Sequence, residues 1–317
     1  MRIIRNFSVR AAAVRTLGVT AALTLAGCVL PAGCGSSSGT LAASGGRLRV
    51  VAAENFWGSI ASQIGGDRVQ TASIITNPDT DPHSYEPTPQ DGRVIAGAQY
   101  VIVNGAGYDA WADKLLSANP VSGRRVLDVG DLMGVREGGN PHMWYSPTYV
   151  QKVIDRITAD LKAADAADAT YFDLQRQAYV TTGLQRYDDL RTAIRNAYRG
   201  VPVGATESIF VYLADDLGLD LTTPPGYMKA TNEGTDPTAA DRTAFDDQVQ
   251  NRQIKVLVFN RQNSTPDIQQ LVDVANARGI PVVSITETLA PAVVSFPEWQ
   301  STQLDALQQA LAKATGR

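Results

Sequence analysis

The chain has 317 residues, 44 % hydrophobic and 19 % charged, with a formal charge of −4; this is the make-up of an ordinary globular protein long enough for two domains, each with its own core. A mildly acidic balance, with no basic run on any expected helix face, excludes a nucleic-acid partner. The two cysteines, Cys28 and Cys34, both precede the first expected strand, so the folding part has neither a disulfide nor a thiolate metal site.

Arg2, Arg5, Arg10 and Arg15 precede an apolar run over residues 17–26 that no acid interrupts. It reads as a secretory signal over residues 1–27, too short for a membrane span. The run ends in Leu25-Ala26-Gly27-Cys28, which resembles the bacterial lipobox. That resemblance makes Cys28 the lipidated mature N-terminus, with Cys34 a weaker second candidate. Loss of residues 1–27 removes four arginines and no acid, taking the formal charge from −4 to −8. Residues 28–46 then form a lipid-anchored tether, flexible because residues 33–46 are rich in Gly, Ser and Ala. An exported protein, held at the outer face of the cell membrane, is expected.

Residues 48–53 read as a buried strand, followed by Glu54-Asn55-Phe56-Trp57-Gly58-Ser59 and a short helix. A second strand over 69–75 leads to Asp81-Pro82-His83-Ser84-Tyr85-Glu86-Pro87-Thr88-Pro89, where Thr88 caps a helix with Pro89 in its first position, closing near residue 97. Strand 100–103, the turn Asn104-Gly105-Ala106-Gly107, helix 109–117 and strand 125–128 follow. A glycine-rich loop then reaches Asn140-Pro141-His142-Met143-Trp144. Ser146 and Pro147 start a helix in which Val150, Val153, Ile154, Ile157 and Leu161 recur at helical spacing. After a small-residue break over 163–169, a long helix runs to Tyr198 on a stripe of Tyr171, Leu174, Ala178, Tyr187, Leu190, Ile194 and Tyr198. At ~1.5 Å per residue it spans about 40 Å. Strand–helix alternation then returns, with strands over 202–205, 219–222, 254–259 and 280–285. The helices between them cover 208–217, a stretch from Asp236-Pro237 to about residue 250, and one starting at Thr265-Pro266; a last helix covers 297–314.

The pattern predicts an α/β fold of two lobes, each a parallel sheet flanked by helices, over residues 47–169 and 200–317, joined by one connecting helix over 170–199. Open parallel sheets bind ligands beyond the carboxyl ends of their strands. The polar residues that follow strands directly are therefore the candidates. The first lobe offers His83 and His142, the only histidines in the chain, each behind a proline that stiffens its backbone. The second offers Glu207 after Val203-Gly204-Ala205, and Glu287 after the strand ending at Ile285. Two neutral imidazoles and two carboxylates suit a divalent ion such as Mn²⁺, Fe²⁺ or Zn²⁺, not Cu(I). Two carboxylates also offset the charge of the ion, lowering the cost of burying it. A site saturated by protein ligands has no position for a nucleophilic water, so no enzyme is expected.

The segments Asp81 to Pro89 and Asn140 to Trp144, with Asn55-Phe56-Trp57-Gly58, resemble the metal-binding lipoproteins of bacterial zinc/manganese ABC importers, the cluster A-I substrate-binding proteins. The resemblance runs through the whole chain after the tether. It implies that His83 and His142 are the first two metal ligands and that the third, a histidine or glutamate in the family, falls on Glu207. The fourth is normally an aspartate; here the matching position is Glu287, whose extra methylene shifts the carboxylate. It further implies a monomer that passes its ion to a membrane permease. The paired carboxylates, and the lack of the histidine-rich acidic loop of many zinc binders in the family, place Mn²⁺ ahead of Zn²⁺, although zinc binds most such sites more tightly.

Blander readings stand beside these. The histidines could be satisfied by hydrogen bonds, Glu207 could be an acid favoured by a helix N-terminus, and Glu287 a solvated loop residue. Asp79, Asp81 and Glu86 read as turn-forming acids. Phe56, Trp57, Trp111 and Trp144 read as core or cleft wall, and Asn104 to Gly107 as a plain turn without phosphate-loop spacing. A siderophore- or haem-binding protein of the same long-helix architecture is the alternative function; a metallohydrolase and an adhesin are further rivals.

Overall fold

The computed structural model describes residues 46–317; the signal segment, the tether up to residue 45, and Cys28 and Cys34 lie outside the described residues. The first sheet is built by β1 (Leu48–Glu54), β2 (Val69–Ile75), β3 (Tyr100–Val103) and β4 (Arg125–Asp128), interleaved with α1 (Asn55–Gly65), α2 (Pro89–Ala96), α3 (Ala110–Ala118) and α4 (Val129–Met133). Every pairing is parallel, in the order β2-β1-β3-β4. Residues Val50 to Ala53 are buried without a break, as a strand covered on both faces requires. Helix α1 packs closely on β2 because Gly58 carries no side chain: a Cβ there would stand 2.1 Å from the Ser73 Oγ. Thr88 and Asp91 form a reciprocal capping box at the start of α2.

Helix α5 (Pro147–Ala164), capped by the Ser146 side chain, leads into α6 (Ala169–Ala178), a π-helical turn (Tyr179–Gly183) and α7 (Gln185–Tyr198). The connecting segment is therefore two α-helices around a π turn, marked by the Leu184 N–H donating to the Tyr179 carbonyl at 2.9 Å. Gly183 permits that turn, since a Cβ on it would meet the Tyr179 ring at 2.9 Å. Its inward face is Phe172, Tyr179, Tyr187, Ile194 and Tyr198, whereas Leu174 is exposed and so is Ala178. Phe172 and Tyr179 set the buried face and turn Leu174 to solvent. Helix α6 packs on α1 and α5.

The second lobe repeats the plan. Strands β5 (Pro202–Ala205), β6 (Asp220–Leu221), β7 (Val256–Asn260) and β8 (Val282–Ile285) pair in parallel in the order β6-β5-β7-β8. Around them lie α8 (Val211–Leu217), α9 (Pro225–Asn232), α10 (Ala239–Gln250), α11 (Pro266–Ala277) and α12 (Phe296–Thr315). Helix α7 packs on α8 and α12. The hydrophobic pattern does not reveal α4, whose five residues include a glycine, or α9, whose Pro224-Pro225-Gly226 start reads as a turn. The cap of α10 is Thr238, which accepts from the Asp241 N–H, not Asp236. One buried cluster runs from Val50 and Trp144 through Val256 to Trp299 and Leu311, so the lobes share a continuous apolar core.

Candidate metal centre

The carboxyl ends of both sheets face one cleft. One ligand atom each from His83, His142 and Glu287 lies within 4.8 Å of the others. Glu207 falls outside that group of three, yet its carboxyl is buried and its Oε1 meets no hydrogen-bond partner. Three of the four sequence candidates thus form a tight cluster, and Glu207 lies close enough to feel the charge of Glu287.

His142 is fully buried. Asn140 Oδ1 accepts from the His142 backbone N–H at 3.1 Å and lies 2.8 Å from Nδ1, while Asn140 Nδ2 donates to the Ser208 carbonyl at 2.8 Å. Because backbone groups on both sides fix that amide, Nδ1 must be the protonated ring nitrogen. Nε2 is then a bare lone pair, and it has no hydrogen-bond partner. Such an arrangement fixes the tautomer of a metal-binding imidazole. Burial and the nearby His83 push the His142 pKa well below the usual imidazole value, so the ring is neutral and ready to coordinate.

His83 sits on a 3₁₀ turn (Pro82–Ser84), where Asp81 accepts from the His83 N–H at 2.9 Å and from Ser84 Oγ at 3.1 Å. Asp81 is thus the turn-former its spacing suggests. The His83 ring packs edge-on against Tyr108, with centroids 4.6 Å apart. Its Nε2 lies 3.8 Å from Glu287 Oε2, and its side chain is 29 % exposed.

Glu287 is no solvated loop acid: it is 2 % exposed. Tyr108 donates to its Oε2 at 2.7 Å and Asn260 Nδ2 to its Oε1 at 2.6 Å. Glu207 precedes the 3₁₀ turn Ser208–Phe210 but makes no capping bond; its Oε2 accepts from Asn263 at 3.0 Å. Burial raises the pKa of both carboxyls, with Glu287 adding to the rise at Glu207 and the His83 charge opposing it at Glu287. The two carboxyls therefore hold protons more readily than usual, which a cation would displace. Burial depresses His142, so its ring holds no second proton at neutral pH.

Several residues of the site are not legible in the sequence. Asn260 closes β7 and Asn263 ends the 3₁₀ turn that follows, and together they hold both carboxylates. Nothing singles them out beyond their place directly after a strand. Asn104 accepts from Trp57 Nε1 at 3.1 Å and donates to the Pro141 carbonyl at 3.0 Å, so the turn after β3 supports the His142 loop. Asp109 accepts from the Asn104 and Gly105 N–H groups at 2.7 and 2.8 Å; burial raises its pKa to about 7. Beside it Glu54, at the end of β1, is wholly buried and neither carboxyl oxygen meets a donor. Burial, then the Asp109 charge, holds its pKa well above the usual carboxyl range. Phe56, Trp57, Trp111 and Trp144 are buried, Phe56 and Trp144 stacking at 4.1 Å, in keeping with core and cleft-wall roles.

The manganese-binding lipoprotein MntA of Halalkalibacterium halodurans is 26 % identical over 215 residues, covering 65 % of this chain and 70 % of that protein. The high-affinity zinc uptake system protein ZnuA of Bacillus subtilis is 24 % identical over 252 residues, covering 73 % and 77 %. Among solved structures, the metal-free S38A mutant of a periplasmic metal binding protein from Candidatus Liberibacter asiaticus superposes with a TM-score of 0.70 at 22 % identity, covering 84 % of this chain and all of that one. The family described as zinc-uptake complex component A, periplasmic (ZnuA) matches residues 50–310. This chain belongs to the ZnuA family.

Proposed function

We propose that this chain captures a divalent transition-metal ion between its lobes and hands it to the membrane permease of an ABC importer. The family comprises substrate-binding proteins of such importers, not enzymes. His83, His142, Glu207 and Glu287 are the proposed ligands. The observation that carries the reading is the buried His142 Nε2, without a hydrogen-bond partner, converging with His83 and Glu287. An apolar wall and a bare lone pair make a poor resting state for a polar atom and a good metal ligand. Mn²⁺ is placed ahead of Zn²⁺, with Fe²⁺ also accommodated, because oxygen donors match the nitrogens in number. Relatives named for manganese and for zinc support both ions. We further propose that the protein acts as an exported monomer held at the outer face of the cell membrane by lipid on Cys28, consistent with the lipoprotein name of the MntA relative.

Elemental analysis of the purified protein, followed by competition between Mn²⁺ and Zn²⁺, tests the reading. One equivalent of metal, lost in His142→Ala, is the expected result. A protein that binds no metal, or a His142→Ala variant that keeps full affinity, overturns it.

A further inference from the structure

The His142 segment is bonded to the second lobe from both sides: Asn140 donates to the Ser208 carbonyl, and Tyr212 Oη donates to the Asn140 carbonyl at 3.0 Å. The His83 segment has no such double anchorage. Among the described residues, one hydrogen bond joins residues 76–87 to the second lobe, from Gln262 Nε2 to the Thr80 carbonyl at 3.0 Å.

Gln262 is placed for this by local structure. It lies in the middle of the 3₁₀ turn Arg261–Asn263, where Asn260 Oδ1 accepts its backbone N–H at 3.0 Å. Its Oε1 accepts from the Glu287 N–H at 2.6 Å and the Thr288 N–H at 3.1 Å. Its Nε2 donates to Thr288 Oγ1 at 3.0 Å as well as to Thr80. A primary amide offers two acceptor sites and two donors, and here all four are used. The two backbone N–H groups fix the oxygen, so the nitrogen must face the first lobe. One side chain therefore holds the backbone that carries Glu287 and also reaches the loop that carries His83.

We propose that Gln262 is a positioning residue that latches the His83 loop across the cleft and thereby sets how long the ion stays bound. The inference rests on the metal-capture reading above. Residence time is where differences in affinity mostly arise, and the more exposed of the two imidazoles is the one whose departure opens a path for release. Breaking the latch frees the His83 loop while leaving the His142 half of the site in place.

The test is a chelator chase of metal-loaded protein, with Mn²⁺ or Zn²⁺ as the probe, on wild type, Gln262→Met, Gln262→Glu and Thr288→Val. Outer partners of metal ligands are typically worth ~10–100-fold, so Gln262→Met should release metal about tenfold faster. Gln262→Glu keeps an acceptor for the Glu287 and Thr288 N–H groups but loses the donor to Thr80. It should also release faster, although its added negative charge would alone slow the loss of a cation. Thr288→Val removes a neighbouring bond to the same amide without touching Thr80, and should stay close to wild type. Amide exchange over residues 76–87 in the loaded protein should quicken in the two Gln262 variants only. Unchanged release in both Gln262 variants, or equal acceleration in Thr288→Val, overturns the latch. A wild-type protein that takes up no metal overturns instead the reading beneath it, and shows this before any variant is made.

Discussion

The two histidine loops both follow strands of the first sheet, His83 after β2 and His142 after β4 and α4, yet they are held very differently. His142 is fully buried, with its ring fixed by Asn140, its loop by Asn104, and its neighbour Trp144 stacked on Phe56 at 4.1 Å. The His83 side chain is 29 % exposed and approaches Glu287 only to 3.8 Å; its loop rests on Asp81, on the packing of Tyr85 against Trp111, and on the reach of Gln262. One imidazole is preset, and the other is held by fewer bonds. A site so divided can admit a cation without parting the lobes, which their shared apolar core resists. On the proposed reading, small movements of the His83 loop would do the work that wide hinge opening does in other binding proteins.

The largest effect that could break this comparison is loss of either ring. His142→Ala and His83→Ala should each weaken metal binding beyond the ~100-fold upper range for outer partners, as measured by chelator competition. Full affinity in either variant would end the assignment. Next comes the support of the ligands, Asn140 for His142 and Tyr108 for Glu287: Asn140→Ala and Tyr108→Phe should each cost about 10–100-fold in affinity. In Asn140→Ala the loss should come with a less ordered His142 ring; in Tyr108→Phe it should come through Glu287.

Acid offers a finer probe. Glu207 and Glu287 have raised pKa values and His142 a lowered one, so acidification puts protons on the carboxyls before it protonates His142. Affinity should fall as pH drops below neutrality. Calorimetry in buffers of different ionisation heat should show proton release that shrinks in Glu207→Gln; an undiminished release would place the protons elsewhere. The smallest effect is on stability. A carboxyl with a raised folded pKa stabilises the fold at low pH and loses that contribution as pH rises through the folded value. The metal-free protein should therefore weaken as pH rises from acid to neutral. An ion bound only by the folded state adds about 2.7 kcal/mol at a hundredfold excess over Kd. The rise in Tm on adding metal should grow with pH across the same range, and a rise that shrinks with pH would contradict the carboxyl assignment.

The strands were the most legible part of the fold, because unbroken apolar runs such as Tyr100 to Val103 have no other use in a sheet covered on both faces. Caps at Thr88, Ser146 and Thr265 were equally clear, since each is a hydroxyl residue directly before a proline. The π turn was not, because a helix that bulges keeps the same composition as one that does not. Glu207 and Glu287 were legible because each stands two residues past the end of a strand, and His83 and His142 because they are the only histidines in the chain and lie in the two proline-stiffened segments that resemble the family. Asn260, Gln262 and Asn263 were hidden for the opposite reason: amides after a strand are common turn residues, and only the folded chain shows which carboxylates and backbone groups they face.

Anomalous scattering from crystals of the metal-loaded protein, recorded at the absorption edge of the bound ion, tests the central claim most directly. The account predicts a single strong peak bonded to one nitrogen of His83, to His142 Nε2, and to oxygens of Glu207 and Glu287. A peak elsewhere in the molecule, or one in the cleft that His142 does not touch, would contradict it.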